Sequence, residues 1–260
     1  MTAELMPAAF IGHGSPMNAL ETNRYTEMWR AFGASVPTPR AILVVSAHWF
    51  INATAVTAMT APRTIHDFFG FPPELFALEY PAPGDPMLAA EIADVAAPTW
   101  VGLDHDSWGI DHGTWSVLVH AFPDAAIPVV QLSIDATKEL EEHLDLGARL
   151  APLRERGVLI LGSGNVVHNL GRIDFGLADE GFEWSHAFDD EAERLMTTEP
   201  GSITTLREHE AFRLAVPTSD HFVPLLYIAG LAAAAGTTAE AFAKGYVGGS
   251  LSMTSYTVGA

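Results

Sequence analysis

Histidines are the residues of this chain whose chemistry and placement are most informative. The chain has eleven histidines and no cysteine in 260 residues, so a transition-metal site would have to use imidazole and carboxylate ligands. Imidazole also titrates near neutral pH, which suits it to proton transfer. The positions of these histidines relative to the predicted strands and helices therefore bear directly on function.

Two histidines closely follow predicted strands. The apolar run 8–11 leads into Gly12-His13-Gly14, and the run 41–46 leads into Ala47-His48. These positions predict two imidazoles at the carboxyl ends of strands, the edge where α/β sheets bind ligands. One such histidine alone is more often structural, but the repeated placement favours a metal site.

Three more histidines follow polar turns. His168 comes after the strand 158–162 and the turn Gly162-Ser163-Gly164-Asn165, whereas His112 follows Asp111 and His221 follows Asp220. Both aspartates are well placed to cap helices, but capping does not explain the histidines. The chain lacks a G-x-S-x-G elbow, a G-x-G-x-x-G fingerprint and a phosphate loop, which disfavours serine hydrolase and nucleotide-binding functions.

The elements that must position these residues alternate along the chain. Hydrophobic periodicity predicts strands at 8–11, 41–46, 55–59, 127–133, 158–162 and 252–258, and helices at 18–32, 86–96, 114–121, 137–150, 183–196 and 221–235. This order predicts an α/β fold, a single domain over residues 1–260 with a central, mostly parallel or mixed β-sheet flanked by helices.

Composition excludes several kinds of partner. Thirteen basic and 32 acidic residues give a net charge of −19, which disfavours nucleic acid and anionic membrane surfaces. The sequence shows neither a signal-peptide pattern at its start nor a run of 18 apolar residues. We therefore expect a cytoplasmic protein, either a monomer or a small homo-oligomer.

The segment 65–86 is rich in aromatic residues and proline, which predicts a packed loop near the site. It contains His66 and Phe69, which we consider candidates for a substrate-binding wall; packing alone would also explain the composition. His105 lies between two aspartates and is an intermediate case. The remaining histidines lie in helical or acidic stretches and are expected to be non-functional surface residues: His120, His143, His186 and His209.

Seven motifs taken together resemble the class III extradiol ring-cleavage dioxygenases of the LigB-like superfamily, in particular the 4,5-DOPA dioxygenase extradiol family. They span essentially the whole chain: Gly12-His13-Gly14-Ser15-Pro16, Ser46-Ala47-His48-Trp49, Ile65-His66-Asp67-Phe68-Phe69-Gly70-Phe71-Pro72, Asp111-His112-Gly113-Thr114-Trp115, Gly162-Ser163-Gly164-Asn165, His168-Asn169 and Asp220-His221-Phe222-Val223-Pro224.

The resemblance implies a role for each site residue. His13 and His48 would be metal ligands, with the third ligand at His221, where better-known relatives have a glutamate. His112 and His168 would be the acid/base residues, and His168 could instead be a fourth ligand. The substrate-binding residues would be Ser15, His66 and Phe69.

The same resemblance implies the reaction and its participants. The cofactor would be Fe(II), with Zn(II) as the alternative metal, and the substrates a small aromatic diol and O₂. The ring would open beside its two hydroxyls rather than between them.

Two other functions remain open from the residues alone. One is a zinc hydrolase that activates water, which a glutamate beside a ligand would favour; none adjoins His13, His48 or His221. The other is a non-enzymatic metal-binding interaction protein similar to Memo. The presence of both His112 and His168 favours catalysis.

Overall fold

The computed structural model describes residues 5–259 and shows a mixed α/β fold built on an eight-stranded sheet. The strand order in this sheet is β4-β3-β5-β2-β6-β1-β10-β7, and β8 and β9 form a separate hairpin. The strands are β1 Ala8–Gly12, β2 Ala41–Ile51, β3 Ala55–Thr57, β4 Gly102–Asp104, β5 Val129–Asp135, β6 Val158–Gly164, β7 Glu240–Ala243, β8 Tyr246–Val247, β9 Leu251–Ser252 and β10 Ser255–Val258.

The helices flank this sheet. They are α1 Arg24–Ser35, α2 Pro73–Phe76, α3 Pro86–Val95, α4 His112–Ala121, α5 Leu140–Arg149, α6 Ala151–Glu155, α7 Glu183–Thr198, α8 Phe212–Ala215 and α9 Val223–Ala234. Short 3₁₀ segments occur at Pro16–Leu20, Leu170–Arg172 and Pro200–Glu208. Within residues 5–259, no helix combines the length and apolar character that crossing a bilayer requires.

The centre of the sheet is parallel and its flanks are mixed. Strands β5, β2, β6 and β1 run in the same direction, whereas β10 pairs antiparallel with β1, and β3 pairs antiparallel with β5. The predicted mixed α/β fold is therefore confirmed. Buried parallel strands need apolar residues on both faces, and the continuous apolar runs of β1, β2 and β6 satisfy this requirement.

Side chains of β2 divide between two hydrophobic clusters, one on each face of the sheet. Leu43 and Val45 belong to the cluster that includes α9, whereas Ile42 and Val44 belong to the cluster that includes Trp115 of α4. This division follows from the alternation of side chains along a strand. Helices therefore cover both faces, which leaves the sheet edge at the ends of the central strands as the place for a polar site.

Helices α5 and α9 approach each other unusually closely. A Cβ atom at Gly147 would lie 2.4 Å from the Tyr227 carbonyl oxygen, and one at Gly230 would lie 2.1 Å from the Leu144 carbonyl oxygen. Only glycine fits at such contacts. This pair of glycines brings the two helix backbones together behind β6.

Several predicted boundaries were wrong for local reasons. Helix α1 begins at Arg24 rather than at residue 18, because Asn23 caps it and a 3₁₀ turn occupies residues 16–20. The predicted strand 252–258 is divided into β9 and β10. Strands β4 and β7 were missed; they are three and four residues long and have too few alternations to detect.

The predicted surface position of His120 and His143 was also wrong, because both are buried. His120 donates from Nε2 to the Asn18 carbonyl (2.8 Å). Nδ1 of His143 is hydrogen-bonded to the Tyr227 hydroxyl (3.1 Å), which links α5 to α9. These contacts give both residues structural roles, as expected of buried polar groups that are hydrogen-bonded.

We predict that His143 makes the protein less stable in mild acid. Burial lowers the pKa of His143 to about 4, while an unfolded histidine titrates near 6.5. The unfolded state therefore takes up a proton first as pH falls from about 6.5 to 4, and stability falls across that window by about 3 kcal/mol from this residue. Replacement His143→Gln should reduce the loss of unfolding free energy measured by urea denaturation between pH 7 and pH 4.

The control is His105→Gln, which removes an exposed histidine from the loop after β4. This variant should lose as much unfolding free energy between pH 7 and pH 4 as the wild type loses. An unchanged difference in His143→Gln would contradict the assignment.

Candidate functional site

Strand register brings the candidate residues to one edge of the sheet. Gly12 at the end of β1 pairs with Gly164 of β6, and Ser46 of β2 pairs with Ser163 of β6. The backbone N–H of His13 donates to the Gly164 carbonyl (3.0 Å). The carboxyl ends of three adjacent parallel strands therefore lie level with one another, as the sequence predicted for His13.

His48 does not lie at a strand end, contrary to the prediction. Strand β2 continues to Ile51, and its pairing with β5 is irregular between Val45 and Phe50. His48 lies in this irregular stretch. This irregular pairing lets a residue inside a strand reach the same space as His13.

The ring of His13 is oriented by a serine. Its Nδ1 lies 3.0 Å from Ser163 Oγ, and that hydroxyl donates its proton to the Gly113 carbonyl (2.5 Å). Because the serine proton is already used, His13 must donate from Nδ1, which leaves a lone pair on Nε2. This Nε2 faces His48 Nε2 at 3.2 Å.

Asp67 holds two of the histidines. Its Oδ2 accepts from His48 Nδ1 (3.0 Å), and its Oδ1 accepts from both Nδ1 (2.9 Å) and the backbone N–H (3.1 Å) of His112. The sequence pattern indicated no role for Asp67. Its one signal was its position next to His66 in the motif of the segment 65–86.

His221 and His168 complete the group of imidazoles. His221 donates from Nδ1 to Asp220 Oδ2 (2.6 Å), and its ring stacks on that of His168 with centroids 3.5 Å apart. The His221 centroid lies 5.3 Å from that of His13 and 5.1 Å from that of His48. The structure therefore brings together all five histidines expected from the sequence.

The tightest set of donor atoms differs from the predicted ligand set. Among the described residues, the side-chain donor atoms of His13, His48 and His112 lie within 4.8 Å of one another. The predicted set has His221 in place of His112. Three convergent imidazoles fit a transition-metal ion, so the donor chemistry is suitable, and the two sets differ in their third member.

Burial and crowding keep most of these rings neutral. The pKa of His13 is lowered well below its usual value by burial and by His48, and burial lowers the pKa of His221 to about 4 and of His168 to about 2. Burial also lowers the pKa of His112. Neutral imidazole is the form that binds a metal.

His48 differs from the other rings because it is surrounded by carboxylates. Burial would lower its pKa, but the hydrogen bond to Asp67 and the charges of Asp111 and Asp67 outweigh burial and raise it. The carboxyls respond in the opposite sense. Although burial opposes ionisation, hydrogen bonds from His112 and His48 hold the pKa of Asp67 well below its usual range, and His221 does the same for Asp220.

Asp111 is hydrogen-bonded to elements that carry the site, and its predicted role as a helix cap is confirmed. Its Oδ1 accepts from the backbone N–H of Thr114 in α4 (3.1 Å) and from the Ser46 hydroxyl (2.7 Å). Its Oδ2 accepts from Gln131 Nε2 (2.6 Å). The carboxylate thus links α4, which begins with His112, to β2 and β5.

The candidate substrate-binding residues have mixed positions. His66 donates from Nε2 to the Leu78 carbonyl (2.9 Å), and Ser15 accepts from the Met17 backbone N–H (3.2 Å) as the cap of a 3₁₀ turn. Phe69 is 91% exposed, whereas the Phe68 ring contacts His112 edge-on at 5.4 Å between centroids. Phe68 rather than Phe69 therefore faces the histidines.

Comparison with known proteins agrees with this site. Residues 8–259 match the family described as "Catalytic LigB subunit of aromatic ring-opening dioxygenase". The chain belongs to this family. It is 46% identical over 234 residues to a 4,5-DOPA dioxygenase extradiol of Escherichia coli K12, covering 88% of this chain and 86% of that one.

Two further relatives extend the match. A 4,5-DOPA dioxygenase extradiol of Beta vulgaris is 38% identical, over 95% of this chain and 94% of the relative. A crystal structure of an uncharacterized Escherichia coli K12 protein superposes with a TM-score of 0.85 at 41% identity, covering 97% of this chain and 99% of that one. The chain is an extradiol aromatic ring-opening dioxygenase, which argues against the hydrolase and interaction-protein alternatives.

We predict that Gly113→Ala weakens metal binding by roughly tenfold or more. An added Cβ would lie 2.7 Å from His48 Cδ2 and 2.7 Å from Ser46 Oγ, so the ring must move. Alanine favours helix in general, and a loss would therefore not come from weakening α4. Competition with a chromophoric chelator measures the Zn²⁺ affinity.

Gly201→Ala is the matched control, because its added Cβ would make only an ordinary contact, 3.6 Å from Ala233 Cβ. Its metal affinity should equal that of the wild type. Equal affinity in Gly113→Ala would mean that the position of His48 does not govern binding.

Proposed function

We propose that this protein is a non-haem Fe(II)-dependent extradiol dioxygenase that opens a catechol-type ring, DOPA-like or a related diol, with O₂. One observation carries the proposal: imidazoles whose Nδ1 atoms are occupied by Ser163, Asp67 and Asp220 converge at one buried sheet edge in a ring-opening dioxygenase. Relatives named 4,5-DOPA dioxygenase extradiol support the substrate class. Zn(II) is the alternative occupant of the same site.

In this proposal His13, His48 and His221 hold the metal through Nε2. Their near-equal centroid separations, 5.1 to 5.3 Å, support a three-membered set. A metal with three protein ligands has open positions at which a diol and O₂ can bind, and it supplies the redox chemistry of the reaction. The residues of the chain then position the substrate and move its protons.

His112 and His168 are the proposed acid/base residues, with His168 as the alternative fourth ligand. His112 is held at its Nδ1 and backbone N–H by Asp67, so its Nε2 is free to take a proton from a substrate hydroxyl. His168 is parallel to His221 and half-buried at the other side of the group. Two neutral imidazoles on different sides could each hold one proton during ring opening.

The aromatic segment 65–86 is the proposed wall of the substrate cleft. Phe68 lies against both His66 (5.8 Å between centroids) and His112 (5.4 Å). An aromatic ring stacked or edge-on beside the metal would hold a planar substrate and exclude water. Ser15 and His66 stay in the proposed substrate set as polar groups, while Phe69 would need to move to join them.

The remaining parts of the proposal concern the whole chain. We take residues 1–260 as one catalytic domain, because both hydrophobic clusters lie against the same sheet. The protein would act in the cytoplasm, as a monomer or a small homo-oligomer, without a nucleic-acid or membrane partner. The net charge of −19 supports the exclusion of anionic partners.

The function is tested by loading the protein with Fe(II) under anaerobic conditions and then adding O₂ with a series of catechols. We expect a coloured ring-opened product and uptake of one O₂ per diol, with L-DOPA among the accepted substrates. Protein loaded with Zn²⁺ should be inactive, because zinc has no redox chemistry. Absence of product from every catechol in the Fe(II)-loaded protein would refute the proposal.

Metal content separates the two ligand sets. We predict that His221→Ala purifies with little bound metal, whereas His112→Ala keeps its metal and loses about 10²–10⁴-fold in turnover, the usual contribution of a general acid or base. Metal analysis and steady-state rates measure the two effects. If His112→Ala instead loses the metal while His221→Ala retains it, the third ligand is His112, as the tightest donor cluster indicates.

A further inference from the structure

Asp67 lies between a proposed metal ligand and a proposed acid/base residue. One of its carboxylate oxygens accepts from His48 Nδ1 (3.0 Å) and the other from His112 Nδ1 (2.9 Å). The two rings lie 3.8 Å apart between centroids. We propose that Asp67 is a positioning residue that sets both imidazoles in the Nδ1–H form, so that metal binding at His48 and proton transfer at His112 depend on one carboxylate.

The chemistry of the carboxylate explains why this position suits aspartate. An ionised carboxylate only accepts hydrogen bonds, and it offers two oxygens. Both neighbouring Nδ1 atoms must therefore carry their protons. In its neutral form each ring is then left with a bare Nε2, the atom that binds a metal or takes a proton.

The contacts of Asp67 also fix which oxygen serves which ring. Oδ1 accepts a second hydrogen bond, from the backbone N–H of His112 at 3.1 Å. That backbone N–H is always a donor, whereas an imidazole nitrogen can be either a donor or an acceptor. Any side chain that replaces Asp67 must therefore place an acceptor at the Oδ1 position.

This constraint gives Asp67→Asn a specific outcome. Asparagine has one acceptor oxygen and one NH₂ donor. The oxygen should take the Oδ1 position beside the His112 backbone N–H, which turns the NH₂ group toward His48. His48 must then present a bare Nδ1 and carry its proton on Nε2, where the metal would bind.

The test uses the metal-free protein and Zn²⁺ as the probe. Nitrogen-15 NMR of the histidine rings in Asp67→Asn should show His48 shifted to the Nε2–H form and His112 still in the Nδ1–H form. The Zn²⁺ affinity should fall by about 10–100-fold, as expected for the loss of a carboxylate behind a ligating histidine. Asp67→Ala removes both acceptor oxygens. Neither His48 nor His112 should then be held in a single tautomer.

A double variant separates the effect of Asp67 on metal binding at His48 from its effect on proton transfer at His112. In a His112→Ala background, Asp67→Asn should still lower the Zn²⁺ affinity through His48, but it should cause no further loss of metal-saturated turnover beyond that of His112→Ala. Asp94→Asn, at an exposed position on α3, is the matched control and should keep wild-type affinity and ring signals. Circular dichroism checks that each variant is folded.

The results decide the proposal in either direction. The proposal would be overturned if Asp67→Asn kept the wild-type Zn²⁺ affinity, or if His48 stayed in the Nδ1–H tautomer. A purely structural aspartate would lower stability without changing the tautomer of either histidine. The role of His112 in this inference rests on the proposed function. The histidine tautomers and the Zn²⁺ affinity, however, can be measured without cleavage of any catechol. Altered ring forms and affinity in a protein that opens no catechol would refute the function and leave the positioning role intact.

Discussion

Imidazoles that share a small buried space resist protonation, and this constraint governs the site. Each added proton would repel the neighbouring rings, and burial removes the water that would screen that repulsion. Oxygen acceptors fix where the remaining proton of each ring lies, because they bind the Nδ1–H groups: Ser163 for His13, Asp67 for His48 and His112, and Asp220 for His221. The Nε2 atoms are then left with lone pairs that a cation can satisfy.

Rigid elements deliver these acceptors to the right places. Ser163 lies on β6, level with Ser46 on β2, and α4 starts at His112 with Asp111 as its cap. The Ser163 hydroxyl donates to Gly113 in the first turn of α4. The sheet and this helix are thus joined through the same groups that orient the imidazoles, which holds the rings to a fixed geometry.

Much of this arrangement could be predicted from the sequence, and the remainder depends on tertiary contacts. Continuous apolar runs identified the central strands, and the residues after them identified His13 and His168. The position of His48 inside β2 depends on irregular pairing with β5, which period-two patterns do not reveal. The burial of His143 depends on the approach of α5 to α9, and no local pattern in either helix records that approach.

Asp67 shows the same limit at the site itself. Its neighbours in sequence suggested an aromatic wall, but its partners His48 and His112 lie 19 and 45 residues away. Ligands and acid/base groups are recognisable in a sequence by residue type at strand ends, and a carboxylate in a proline-rich loop fits neither pattern. Groups that orient ligands are defined by hydrogen bonds, so they become visible only when the fold is known.

The balance of charge around the rings links the site to its proposed cofactor. Asp67 and Asp220 both have a pKa held below the usual range. Ionised carboxylates at a buried edge are costly without a positive charge among them. Without a metal, His48 is the ring whose pKa is raised, so it is the group most able to supply that charge. A divalent cation at the Nε2 atoms would supply it more fully and displace the proton from His48, since metal binding and ligand protonation compete. The same carboxylates that orient the imidazoles therefore also favour a bound cation.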